Sequence, residues 1–135
     1  MAVTLVKQYS VFLTNEPGVL KNFADLFVRN QVDLLAISED VRYDAAIMRF
    51  AVAYDTDISH LLTQAGFTSV KTDAICVDAP DRTGLVRDIG AIMAGAKVNI
   101  SSIYGSGNKT SSRWVLVVNN ITRAMSALEE SGLFE

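Results

Sequence analysis

The sequence predicts an α+β fold made of two copies of one βαββαβ unit, each an antiparallel sheet with its helices on one face. Three observations predict it. Two loops share one grammar, an apolar run followed by a polar loop, a glycine and a helical pattern: Val11 to Leu20 around Gly18, and Val77 to Val86 around Gly84. The two glycines lie 66 positions apart, and at that offset Val32 falls on Val98, Ile37 on Ile103, Val52 on Val118, Leu62 on Leu128 and Gly66 on Gly132 without a gap. Extended and helical periodicities then follow in the same order in both halves.

In the first copy Tyr9 to Thr14 is rich in β-formers and reads as a strand. Pro17 stands where a first-turn proline is tolerated, with Thr14 or Asn15 as cap. Leu20, Phe23, Ala24 and Phe27 then form the stripe of an amphipathic helix ending near Asn30. Val32 to Ser38 is expected as a second strand, Glu39 to Asp44 as a polar turn, and Ala46 to Tyr54 as a third strand. Asp55 and Thr56 are the expected caps of a second helix with Ile58, Leu61, Leu62 and Ala65 on its apolar face, stopped by Gly66. Phe67 to Lys71 gives a fourth strand.

The second copy repeats this order. Ile75 to Ala79 is a strand, Leu85 to Gly95 a helix, and Val98 to Tyr104 and Arg113 to Val118 are hairpin strands. Asn119 or Asn120 caps a last helix, with Ile121, Ala124, Met125 and Leu128 inward, that Gly132 closes. The order is that of the split βαβ, or ferredoxin-like, unit. The copies are residues 1–70 and 71–135. The second is short of a full fourth strand, and the offset sets Val3 to Lys7 against Ser69 to Asp73, so Val3 to Lys7 is expected to complete the second sheet.

At 135 residues, 50% of them hydrophobic, the chain buries a core of ordinary size. A net charge of −3, with no block of Lys or Arg, argues against nucleic acid or an anionic membrane surface as partner. The single cysteine, Cys76, makes no internal disulfide and no thiolate zinc site, and no apolar run is long enough to span a membrane. A cytoplasmic protein is the expectation.

Asp81-Arg82-Thr83-Gly84-Leu85-Val86 followed by Lys97-Val98-Asn99-Ile100, and Asn15-Glu16-Pro17-Gly18-Val19-Leu20 followed by Val32-Asp33-Leu34, resemble the ACT domain, twice. The resemblance covers nearly the whole chain. It implies small regulatory modules that bind amino acids where two of them pair side by side, with no attached enzyme, a homodimer, and an enzyme of amino-acid metabolism as the regulated partner.

The chemistry of the loops suits such a ligand. A helix that starts at glycine presents backbone N–H groups and the positive end of its dipole to a carboxylate, with no Cβ in the way. Asn99 or Asp33 offers a side-chain oxygen to an α-ammonium, and Arg82 offers a bidentate carboxylate partner where the first loop has Glu16. The candidate ligand-binding residues are Asn15, Glu16, Pro17, Gly18, Val19, Asp33 and Leu34 in the first copy. In the second they are Asp81, Arg82, Thr83, Gly84, Leu85, Asn99 and Ile100. If one site alone is competent, it is the one around Gly84, Arg82 and Asn99.

Plainer roles stand beside these. The glycines serve tight turns, and Asp78 and Asp81 serve as caps or turn residues. Asp33 and Asn99 are exposed strand starts, Cys76 is a small buried hydrophobe, and His60 is a solvated helix residue. Trp114 and Tyr104 pack on the sheet. Gly105 to Lys109 lacks the spacing of a phosphate loop and precedes a strand, so it reads as a flexible hairpin that acts as a lid at most. The lone histidine and lone cysteine complete no catalytic set, and neither a metal-ligand cluster nor a dinucleotide fingerprint occurs, so no catalytic residue, metal or cofactor is expected. Ala45 to Ala51 lacks the exposed aromatics and basic charge of an RNA-reading strand. The expected function is sensing of a free amino acid or similar small zwitterion. The alternative is an assembly module that pairs through sheet edges and binds nothing small.

Overall fold

A computed structural model describes residues 2–134. Ten elements follow one another: β1 (Ala2–Thr14), α1 (Val19–Arg29), β2 (Ala36–Arg42), β3 (Ala45–Ala53), α2 (Ser59–Gln64), β4 (Thr68–Pro80), α3 (Leu85–Gly95), β5 (Ile100–Gly107), β6 (Ser111–Val118) and α4 (Ile121–Glu130). They form two compact units divided inside β1 and inside β4. One unit is Val6–Thr72; the other is the chain up to Leu5 with everything from Asp73 onward.

The Val6–Thr72 unit has strand order β2-β3-β1-β4, with β3 antiparallel to both β1 and β2. The register sets Tyr9 opposite Phe50, Val11 opposite Met48 and Leu13 opposite Ala46, all facing Phe23, Leu26 and Phe27 of α1 and Ile58 and Leu62 near α2. Phe50 is the hub: its ring lies 5.5 Å from Tyr9, 5.5 Å from Phe23 and 5.0 Å from Phe27. The Tyr9 hydroxyl escapes the apolar layer by accepting from the Ile58 N–H at 3.2 Å and donating to Asp57 Oδ1 at 3.3 Å. Asp57 also accepts from the Ser59 N–H at 3.0 Å, and that bond holds its carboxyl below the usual range. Asp57 therefore does at α2 what the sequence assigns to Asp55 or Thr56. Leu20, expected in the core stripe, is 53% exposed, and Leu26 takes its place.

The other unit has order β1-β4-β6-β5, and β6 is antiparallel to β4 and β5. Ile75, Val77, Ala79 and Leu116 face Leu85, Ile89 and Met93 of α3 and Ala124 and Leu128 of α4, and Val3 packs against this core. Val6 and Lys7 group with the first unit. Asn120 caps α4 by accepting from the Arg123 N–H at 3.0 Å. The residues that alternate with the helix-facing ones on β4 and β6 are buried as well, among them Ala74, Cys76 and Val115. Burial, with the charge of Asp78 adding to it, pushes the Cys76 thiol up to about 11, so it stays protonated and inert near neutral pH.

The repeat extends to the backbone's rarest conformations. Among the described residues those with positive φ are Gly18, Gln31, Tyr43 and Gly66 in the first copy and Gly84, Lys97, Lys109 and Gly132 in the second, matching pairwise at the 66-residue offset. Gln31 and Lys97 end α1 and α3 in Schellman motifs. Val32 N–H reaches the Phe27 carbonyl and Val98 N–H the Met93 carbonyl, both at 2.9 Å. These valines are the apolar residue of a helix stop. The hairpin strands accordingly begin later than expected, at Ala36 and Ile100 rather than Val32 and Val98, and run on through the expected polar turn to Arg42 and through Gly105 to Gly107. Likewise β4 is one strand where two were expected, since Thr72 and Asp73 carry it on with no Gly, Pro or Asn to turn the chain between.

Candidate functional site

Both glycine loops carry the chain from a strand into a helix through a left-handed residue. Gly18 has φ +87° and Gly84 φ +91°, and each is itself the N-cap, with no side chain capping the first turn of α1 or α3. Thr14, Asn15, Asp78 and Asp81 are thus not caps of these helices, and Pro17 precedes the cap instead of entering the helix. A glycine is required at both positions because a Cβ there is strained. The loops are superposable in their bonds: Val19 N–H donates to the Glu16 carbonyl and Leu85 N–H to that of Arg82, while Asn22 and Asp88 N–H each reach the cap glycine's carbonyl at 3.0 Å.

They differ in charge. Around Gly84, Arg87 Nη2 and Arg82 Nη1 lie 3.4 and 3.7 Å from where a Cβ would stand. Arg82 Nη2 donates to Asp88 Oδ2 at 2.6 Å and Arg87 Nη2 to Asp88 Oδ1 at 3.5 Å. The Arg82 bond holds the Asp88 carboxyl below its usual range. Two guanidinium groups and one carboxylate thus converge on the positive end of α3, leaving an excess positive charge where an anion is favoured. Around Gly18 nothing lies within 4 Å of the equivalent point, and Lys21 turns away to pair with Asp25 at 2.9 Å. Sequence reasoning named Arg82 but missed Arg87 and Asp88. Their place in the first turn after the cap glycine is the signal that points to them.

Thr83 is exposed, whereas Leu85 is buried in the core and anchors α3. Asp81 ties the loop to the β5–β6 hairpin: its N–H donates to the Thr110 carbonyl at 3.2 Å and its Oδ2 accepts from the Lys109 N–H at 2.9 Å. In the first copy Asn15 N–H makes the matching bond to the Asp44 carbonyl at 2.8 Å, and Glu16 and Val19 stand exposed and half-buried.

Asn99 and Ile100 do not join this loop within their own repeat. Ile100 pairs with Val118 while Gly107 pairs with Ser112 and Pro80 with Ser111. Asn99 therefore sits at the opposite end of the sheet from Asp81, roughly 20 Å away at the usual rise per residue. Its backbone is fixed there by exchange with Asn119, its N–H donating to Asn119 Oδ1 at 3.0 Å. Asp33 and Leu34 hold the same remote position relative to Gly18, beside an apolar cavity of about 630 Å³ that Phe27, Val28 and Val32 help to line. α1 and α3 run the length of their sheets, so the residues before and after each helix are kept apart.

Among the described residues no helix is long and apolar enough to cross a membrane, and no group of three His, Cys, Asp or Glu side chains is placed to hold a metal ion.

The family model for the ACT domain pair matches residues 3–133. No curated protein matches. Solved structures do: protein BT0572 from Bacteroides thetaiotaomicron has a TM-score of 0.84 at 20% identity over 98% of this chain and 92% of that one. The regulatory subunit of aspartate kinase from Thermus thermophilus, in a ligand-free form, has a TM-score of 0.70 at 14% identity over 100% and 98%. Escherichia coli aspartokinase III in complex with aspartate and ADP has a TM-score of 0.63 at 14% identity over 99% of this chain and 33% of that one. At these identities the structures show a shared fold.

Proposed function

This chain belongs to the family of ACT domain pairs, and from that premise we propose that it is a regulatory protein that senses a free amino acid and modulates an enzyme of amino-acid metabolism. The observation that carries the reading is the head of α3, where Gly84 opens the backbone to a small anion and Arg82 and Arg87 crowd beside it. The ligand's α-carboxylate binds there. Its α-ammonium is met by a side-chain oxygen from the Asn99 region of a second copy of the chain laid alongside in the opposite direction, because Asn99 lies too far from Gly84 in its own repeat. That separation supports a homodimer with the ligand at its seam. Binding then favours the paired state by its differential affinity, and the partner enzyme reads that state. The likeness to regulatory subunits of aspartate kinase supports a partner of this kind. The Gly18 loop, with Glu16 in place of Arg82, is the weaker site or an empty one.

Calorimetric titration tests the assignment. Arg82→Ala removes a charge-assisted contact to the carboxylate, and Asn99→Ala removes the acceptor for the ammonium. Each is expected to weaken binding about 10- to 100-fold, the equivalent of roughly 1.5–3 kcal/mol. Glu16→Ala in the first loop is expected to leave affinity unchanged. Equal affinity in all three variants would overturn the assignment.

A further inference from the structure

A second polar site lies on the face of the sheet turned away from the helices. Val77, Ala79 and Leu116 face α3 and α4, so the residues alternating with them on β4 and β6 face the other way. There Asp78 of β4, Arg113 of β6 and Ser106 of β5 stand in one cross-strand row. They border a groove of about 620 Å³ whose walls are carried by Asn108, Thr110 and Ser111 of the hairpin, a size within the range of small-molecule sites. Arg113 Nε donates to Asp78 Oδ1 at 2.6 Å, with the two side chains 44% and 37% exposed. In the first copy the row at the 66-residue offset is Phe12, Ile47 and Asp40, so this ion pair belongs to the second repeat alone.

We infer that this groove is a binding site for the head group of a zwitterion, an α-amino acid, distinct from the Gly84 loop. A carboxylate and a guanidinium fixed side by side present opposite charges one short contact apart. An α-amino acid presents the same two charges at a like separation, so it docks antiparallel on the pair, ammonium to Asp78 and carboxylate to Arg113, without breaking the bond between them. The hydroxyls of Ser106, Thr110 and Ser111 select a short polar side chain over a large apolar one. The site is not isolated from the loop. Asp81, which opens the Gly84 loop, is bonded to Lys109 and Thr110, and a Cβ at Gly107 would stand 2.5 Å from its carboxyl carbon. A ligand seated against the hairpin therefore biases the loop. The ligand class rests on the reading of the chain as an amino-acid sensor; the location does not.

Two-dimensional ¹H–¹⁵N spectra of the full chain, titrated with glycine, N-acetylglycine and glycinamide, test this. Glycine, which carries both charges, is expected to give saturable shifts in the amides of Ser106 to Ser112. The two analogues, each missing one charge, bind at least tenfold more weakly. Asp78→Asn, which removes the charge that meets the ammonium, and Ser106→Phe, which fills the groove while both charged residues stay in the chain, are each expected to abolish the glycine shifts while keeping a dispersed spectrum. Equal response to all three probes, no response, or shifts confined to Arg82 to Val86 would overturn the groove. The last of these leaves the loop reading standing, and shifts at Ser106 to Ser112 that survive in Arg82→Ala separate the groove from the loop.

Discussion

Phe50→Ala is expected to cost about 4 kcal/mol, the range for removing a large aromatic from a packed core. Phe50 is fully buried on the central antiparallel pair of the Val6–Thr72 unit, and three rings meet it, Tyr9 stacked and Phe23 and Phe27 inclined. Truncation removes more than area. Tyr9 loses the ring that holds it flat, and its hydroxyl is the group that fixes Asp57 and Ile58 at the start of α2. A stability of 5–15 kcal/mol is typical of such chains, so this one change takes a large share of it. Urea unfolding followed by circular dichroism measures the loss. Tyr43→Ala is the control: Tyr43 is 98% exposed, alanine keeps the Cβ that its positive φ must accommodate, and the change is expected to stay within about 0.5 kcal/mol.

Gly105→Ala is expected to cost about 3 kcal/mol, although it adds one methyl group to an exposed edge strand. A Cβ at Gly105 would fall on the Arg113 carbonyl oxygen and stand 2.6 Å from Trp114 Cε3 and 2.9 Å from Trp114 Cα. Two of those three atoms are backbone, so β5 and β6 must separate or Trp114 must leave the core it packs against. The indole lies across the glycine, with its Nε1–H buried and without a hydrogen-bond partner among the described residues. Thermal unfolding checks the loss, with a blue shift of Trp114 fluorescence reversed if the indole is released to water. Gly90→Ala is the contrast: nothing lies within 4 Å of that Cβ, and alanine in mid-helix is expected to stabilise α3 by roughly 0.5–1 kcal/mol.

The fold was legible because its repeat is written in chemistry that admits few substitutes. Gly18 and Gly84, and Gly66 and Gly132, sit at matching left-handed positions. Gln31, Tyr43, Lys97 and Lys109 occupy left-handed positions too, and nothing in those residue types announces it. Val32 and Val98 were misleading for a related reason: a valine that closes a helix against Phe27 or Met93 looks in sequence like one that opens a strand. Composition cannot tell these apart, because both bury an apolar side chain.

The candidate site was legible by halves. Its anion-binding half depends on consecutive residues, from Arg82 through Gly84 into α3, and local sequence carries that directly. Its proposed ammonium-binding half was placed one strand away by reading order, but an 11-residue helix intervenes and carries the chain to the far end of the sheet before Asn99. The Asp78–Arg113 pair was invisible for the complementary reason: 35 positions separate the two, and only the β4–β6 register brings them within 2.6 Å.

A thermal-shift screen of the purified chain against the common amino acids, each supplied alone, tests the central claim most directly. One amino acid or a small chemically related group is expected to raise the melting temperature, by the equivalent of about 2.7 kcal/mol when present at 100 times its dissociation constant. In Arg82→Ala, which binds about 10- to 100-fold more weakly, roughly 0.4–1.4 kcal/mol of that rise is expected to remain. A melting temperature unmoved by every amino acid would contradict ligand sensing. It would leave the exposed Ile37 and Val41 of edge strand β2 as the features to explain, in a module that pairs through its sheet edges.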